Sequence, residues 1–378
     1  MTDTGLLFDL TPTDDEQMTR EVIRRFARDE MAPTARSADE AALLPEGFLD
    51  KTVELGMNYM PVPEALGGVG SGQHPVSSAL MIEALAQGDM TMTLAALAPL
   101  AVINTVMRWG SSAQQQRVAQ VLLAEQFAPA AIALTEPGIA CTPDSLKTTA
   151  IQQADGSWVL TGEKSMVPFG GDASLLLVFA NACTSRGDNL GTRGFLLDPA
   201  TSGCRFEREH YMGLRALPLY RLQLDAVCVE SSAELGESAG DAFDLQHFLG
   251  LSRIATAALA VGTCQAVLDY VKDYVNERTA FGEPISHRQS VAFMVADMAT
   301  ELQGMRLLAY RAASQAEQGL DYTRVAFLAQ RQAIKYGMKI GTDGVQLLGG
   351  HGFTREHPVE LWYRNLRALP VIEGLLVA

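Results

Sequence analysis

The feature that most constrains this 378-residue chain is a change of texture near Phe127 that reverses near Asp241. Between those points lie short runs rich in β-branched and apolar residues: Val159-Leu-Thr161, Leu175-Leu-Leu-Val-Phe179, Gly194-Phe-Leu-Leu197 and Leu222-Gln-Leu-Asp-Ala-Val-Cys-Val229. Asp155-Gly156, Gly170-Gly171, Asp198-Pro199 and Ser202-Gly203 punctuate them. Such runs bounded by turn formers read as strands. No dinucleotide-type βαβ unit is visible, so the middle of the chain is expected to be an antiparallel β domain.

On either side the apolar spacing is helical. Thr13-Asp-Asp-Glu16 is a capping box that opens a helix carrying Met18, Val22, Ile23 and Phe26, and Pro33 stops it. Phe48 to Leu55 reads as a second helix, and His74 to about Glu125 as helical with a break at Trp109-Gly110. Gly67-Gly-Val-Gly70 lacks a preceding strand and a following lysine, so it reads as a turn and not a phosphate cradle. After Asp241 one stripe runs Leu251, Ile254, Ala258, Val261, Cys264, Leu268, Val271, Val275, and a second runs from Val291 to Leu308. Asp321 caps a third helix reaching about Leu348. The expected fold is α+β: an N-terminal α-helical domain over 1–127, the β domain over 128–236, and a four-helix-type bundle over 237–378.

A hydrophobic fraction of 48% and a charged fraction of 19% suit a soluble globular chain. The net charge of −15 argues against general nucleic-acid or anionic-membrane binding. Five widely spaced cysteines without CxxC or Cys/His spacing give neither a metal site nor a disulfide framework. With no leader-like start and no apolar run judged long enough to span a bilayer, the expected setting is cytoplasmic.

The last stretch, from Leu347-Leu-Gly-Gly350 to Ile372-Glu-Gly374, places a single carboxylate, Glu373, between Pro370 and Gly374. Pro370 limits the chain to extended or turn geometry, and Gly374 admits close approach to the backbone. On local sequence alone, Glu373 reads as a solvated terminal acid.

Several segments, in order, resemble the acyl-CoA dehydrogenase family of flavoproteins across nearly the whole chain. Ala133-Leu-Thr-Glu-Pro-Gly138 resembles its flavin-contacting T-E-P segment, and Gly162-Glu-Lys164 with Gly170-Gly-Asp-Ala173 frames its second flavin segment. Arg278-Thr-Ala-Phe-Gly282, Pro284 and Gln289 resemble the R-x-x-F-G-x-P motif and the glutamine after it. Gln346-Leu-Leu-Gly-Gly350 and Pro358-Val-Glu360 resemble the C-terminal signature, and Ile372-Glu-Gly374 its catalytic end.

The resemblance implies FAD-dependent α,β-dehydrogenation of an acyl-CoA, with electrons passed to an electron-transferring flavoprotein. Glu373 is then the base, and its backbone N–H donates to the thioester oxygen beside Gly374. An apolar, water-poor acyl pocket would raise its basicity. Leu134, Thr135, Cys141, Met166 and Pro168 fall at flavin-ring positions. Arg278 would meet the pyrophosphate, Phe281 and Gln289 the adenosine half, and Gln346, Gly349 and Gly350 the pyrophosphate through the backbone. Arg253 falls near the CoA end of the substrate. In some members the base sits on the helix opening the bundle; the matching residue here is Ser252, which cannot act as one. Cofactor binding in the family crosses a dimer interface, so a homodimer or tetramer is implied.

The sequence departs from the family in three places. Cys141 and Thr142 replace a serine and an aspartate. Met166 and Pro168 replace an aromatic and a threonine, and proline has neither hydroxyl nor backbone N–H to offer flavin N5. The segment Leu375-Leu-Val-Ala378 replaces a longer end, and Ile372 replaces a tyrosine, implying a smaller, drier pocket wall. Three readings remain open: an active dehydrogenase with retuned flavin binding, a flavin-poor subunit paired with an active relative in a hetero-oligomer, and a non-redox acyl-thioester binding protein.

Overall fold

The computed structural model describes residues 13–70, 72–138, 142–236 and 243–378. The capping box forms as read: the Glu16 carboxylate accepts from Thr13 N–H at 2.8 Å, and the Thr13 hydroxyl accepts from Glu16 N–H. It opens α1 (Asp14–Phe26), which runs on as a π turn over Ala27–Met31. Then come α2 (Ala35–Ala41), which the sequence reading did not separate, and α3 (Phe48–Glu54). The Gly67–Gly70 stretch is a turn, with Gly70 N–H bonded to Val62 O. The expected helical stretch resolves into α4 (Pro75–Ala86), α5 (Met90–Trp109) and α6 (Ser112–Leu122). Gly88-Asp89 and Gly110-Ser111 separate them, with Asp89 and Ser111 as N-caps.

The central strands are β1 (Ala130–Ala133), β2 (Thr149–Gln152), β3 (Trp158–Pro168), β4 (Leu175–Cys183), β5 (Asn189–Leu197), β6 (Cys204–Arg208) and β7 (Leu219–Val229). The sheet is mixed, not wholly antiparallel as expected. β4 is its axis: β1 and β2 pair in parallel with successive halves of one edge, and β5 pairs antiparallel on the other. Parallel pairing of β1 and β2 with β4 requires connections that leave and re-enter the sheet. The short Ala-rich β1 and the four-residue β2 carry too little alternation to announce this.

The bundle consists of α7 (Leu245–Glu277), a two-strand turn β8 (Thr279–Ala280) and β9 (Glu283–Pro284), α8 (Gln289–Glu317), α9 (Thr323–Leu347) and α10 (Val359–Leu366). α7 packs on α8 and α9, and α4 crosses α7 and α8. Two helices, α5 and α7, are by length and composition able to cross a membrane, contrary to the sequence reading. Both are mostly buried, α5 against β1 and α7 between α4 and α9, so protein takes the place of lipid around them.

Candidate active site

Where the sheet meets the bundle, a cavity of about 380 Å³ opens, walled by Leu134, Thr135, Ser165, Met166 and Tyr211 on one side and by Pro370, Val371 and Glu373 on the other. The β side is built by strand ends. β1 delivers Leu134 and Thr135 as it leaves the sheet. The fully buried Lys164 ties this exit to β3, its ammonium donating to Leu134 O at 3.1 Å and to Glu136 at 2.9 Å. Burial alone would raise the Glu136 carboxyl, but Lys164 and the Thr148 and Lys147 contacts outweigh it and hold it below the usual range.

Met166 presents its side chain from a left-handed backbone, φ 59°, at a break in the β3–β7 register between Lys164 and Val167. A non-glycine residue there costs on the order of 1 kcal/mol or more and needs outside support. Glu209 supplies it: its carboxylate accepts from Met166 N–H at 2.8 Å and from the Ser165 hydroxyl at 2.9 Å, and Tyr211 Oη lies 3.1 Å from Ser165 Oγ. Burial pushes Glu209 up, yet these donors with Arg221 keep it below the ordinary carboxylate range. Burial pushes the Tyr211 phenol up to about 12, so it stays a neutral hydroxyl in the cavity wall.

Glu373 faces this wall from the bundle side. Both of its side-chain partners fall on one oxygen: Arg253 Nε donates to Oε1 at 2.7 Å and Gln330 Nε2 to Oε1 at 3.4 Å. Oε2 and the Glu373 backbone N–H make no hydrogen bond among the described residues. The next residue, Gly374, has φ 88°, and its N–H donates to Ser252 Oγ at 2.7 Å. A Cβ at Gly374 would come within 2.7 Å of Leu134 Cδ2, so only glycine lets the segment close against the sheet. The carboxylate is 22% exposed and ion-paired, which corrects the expected apolar, water-poor surroundings.

The remaining residues gather elsewhere. Arg278 caps the end of α7, Phe281 follows it, Gln289 opens α8, and Gln346, Gly349 and Gly350 end α9; all are exposed. Arg253 and Arg278 are separated by most of the 33-residue α7, roughly 37 Å at the α-helical rise. A Cβ at Gly349 or Gly350 would meet nothing within 4 Å, so nothing inside the chain crowds these positions.

Some of the expected residues stand apart from the cavity or make other contacts. Pro168 is buried at the end of β3 and Ile372 is buried in the core, and neither lines the cavity. Arg253 lies on Glu373 and over the Phe327 ring, 5.4 Å from its centroid. Cys141 lies outside the described residues. Sequence reasoning dismissed Ser252 as a failed base, whereas the structure makes it the anchor of Gly374. It also passed over Gln330, Glu209 and Tyr211, which carry no motif; the register break that exposes Met166 to Glu209 had no signal in composition.

The helix–sheet–bundle order, with Glu373 and Met166 facing each other across a cavity at the sheet–bundle junction, is the arrangement against which known families are compared. Sequence profiles of the acyl-CoA dehydrogenase N-terminal, middle and C-terminal domains match residues 13–126, 131–227 and 244–375. The short-chain-specific acyl-CoA dehydrogenase of Megasphaera elsdenii is 31% identical over 97% of this chain and 96% of its own length. The structure of butyryl-CoA dehydrogenase from that organism superposes with a TM-score of 0.87 at 29% identity, covering 97% of this chain and 96% of that one. A glutaryl-CoA dehydrogenase from Mycobacterium smegmatis, solved with FADH2, gives 0.84 at 26% identity, covering 98% and 93%. The chain belongs to the acyl-CoA dehydrogenase family, oxidoreductases that act on a CH–CH bond with a flavin.

Proposed function

We propose that this chain removes the α-proton and β-hydride of an acyl-CoA thioester in the cavity between Met166 and Glu373. The observation that carries the reading is the division of labour on Glu373: Oε1 is committed to Arg253 and Gln330, while Oε2 and the backbone N–H make no hydrogen bond among the described residues. A flat thioester beside Gly374 would meet both. Oε2 takes the α-proton, and the N–H donates to the thioester oxygen as it gains enolate character. Arg253 and Gln330 hold the carboxylate in one orientation, and Ser252 holds the turn that carries it.

The residues fit FAD in two separate places. Leu134, Thr135 and Met166 would border the ring, and Arg278, Phe281, Gln289, Gln346, Gly349 and Gly350 the pyrophosphate and adenosine. When bound, the flavin supplies the acceptor for the β-hydrogen. Most of α7 lies between Arg253 at the cavity and Arg278, which supports a dinucleotide shared between two chains. In this reading the assembly is a homodimer or a tetramer, each chain lending its Arg278 end to a neighbour. The natural acceptor in this reading is an electron-transferring flavoprotein, the setting is cytoplasmic, and the chain divides near residues 127 and 236 into three units. Arg253, placed on Glu373, would meet the substrate from the carboxylate side.

A second reading, a flavin-poor subunit of a hetero-oligomer, is favoured by Met166, whose side chain brings no hydrogen-bond donor to the cavity wall. The visible spectrum separates the two. Near one flavin per chain, bleached anaerobically by acyl-CoA, supports the enzyme. A colourless protein that gains flavin only with a co-expressed relative supports the partner subunit.

A further inference from the structure

We propose that residues Leu375, Leu376, Val377 and Ala378 set the acyl length this site accepts, by filling the crevice between α5 and α7 that leads on from Glu373. The proposal rests on reading the cavity as an acyl-thioester site.

The turn at Gly374 sends the chain inward, away from the cavity mouth. Each of the four residues beyond it is 3% exposed or less, although none belongs to a helix or strand. Two bonds hold them to the flanking helices: Asn104 Nδ2 on α5 donates to Val377 O at 2.9 Å, and Ala378 N–H donates to Leu251 O on α7 at 3.3 Å. Asn104 also borders a second cavity, of about 450 Å³, together with Leu80, Met81 and Leu100. The four residues line neither cavity; they run from Glu373, on the wall of one, to Asn104, on the wall of the other, and so form a partition roughly 13 Å long if extended.

A thioester seated beside Gly374 sends its acyl group either back along the ring wall or into this partition. A group of a few carbons ends before reaching it. Every further methylene must displace Leu375, Leu376 or Val377, all of them packed apolar side chains. The partition thus discriminates by exclusion, the form of selectivity a hydrophobic pocket supplies against extra length.

The test compares flavin bleaching by butyryl-CoA and octanoyl-CoA in the wild-type protein, in Leu376→Ala, and in Asn104→Ser, which loosens the segment without emptying the core. The expected wild-type rate with octanoyl-CoA is about tenfold or more below that with butyryl-CoA, and both variants raise the octanoyl-to-butyryl ratio by about tenfold. A merely structural segment would lower thermal stability and leave the ratio unchanged, and that result overturns the proposal, as does a wild-type ratio near one. Bleaching by neither thioester contradicts the reading of the cavity. Amide exchange of residues 376–378 then decides the partition separately. Octanoyl-CoA, and not butyryl-CoA, is expected to speed that exchange at least tenfold, and equal protection with both overturns the proposal.

Discussion

The two ends of α7 face opposite circumstances. At its start, the groups around Glu373 are held from within the chain, Arg253 and Gln330 on Oε1, Ser252 on Gly374 and Glu209 on Met166, while Glu373 Oε2 and the Glu373 backbone N–H make no hydrogen bond among the described residues. At its finish, Phe281 is 95% and Phe353 92% exposed, and Gly349 and Gly350 border open space. Yet this second end is not loose. Tyr274 Oη lies 2.9 Å from His351 Nδ1 and Tyr270 Oη 2.6 Å from His357 Nδ1, bracing the Gly349–Gly350 turn against α7. This second end is held by its own chain yet leaves Phe281, Phe353 and both glycines exposed. The first end is held in place from within and leaves two atoms of Glu373, a residue of the cavity wall, without a hydrogen bond among the described residues.

That contrast can be broken by mutation. The largest expected effect on folding is at the internally satisfied end. Lys164→Ala leaves Glu136 without its buried ammonium and is expected to cost about 3–5 kcal/mol, read by denaturant unfolding. Arg278→Ala is expected to do the reverse: unfolding free energy within about 0.5 kcal/mol of wild type, since Arg278 is exposed, but flavin affinity weaker by about 2–3 kcal/mol. A fluorescence titration showing unchanged flavin affinity would assign the bundle end another role. Gly350→Ala should act in the same direction and less, with flavin affinity lower by on the order of 1 kcal/mol and stability unchanged.

Asp89 sharpens the comparison from the core. Burial pushes this N-cap carboxyl up from 3.8 to about 7, only partly offset by the Met92 and Thr91 N–H groups. Between those values the folded chain holds a proton that the unfolded chain has released. The group's contribution to stability therefore declines as pH rises towards 7 and levels off above it. Asp89→Asn keeps the cap without the charge. It should be more stable than wild type at pH 8 by on the order of 1–3 kcal/mol, with the gain vanishing near pH 4. Thermal unfolding across that range checks the sign.

The helices and the three-part order were legible because their signals are local. A capping box, apolar stripes and Gly breaks each act within a few residues. The mixed sheet was not, because the parallel pairing of β1 and β2 with β4 depends on contacts between Ala130 and Leu175 or Thr149 and Asn181, far apart in the chain. In the site, Glu373, Leu134, Thr135 and Met166 were placed from motif order and do converge on one cavity. Pro168 and Ile372 lie off that cavity for a shared reason: inward or outward orientation at a strand end or a turn is set by packing, which the residue type does not encode. The Arg253–Glu373 pair was not legible because its members lie 120 positions apart in the chain.

The account turns on Oε2 of Glu373 as the proton acceptor across from the ring wall. The direct measurement is the anaerobic rate at which butyryl-CoA bleaches the flavin band of Glu373→Gln beside wild type, at matched flavin content. A fall of about 10²–10⁴-fold with the band otherwise intact is the predicted result. Bleaching at the wild-type rate would show that another group takes the proton.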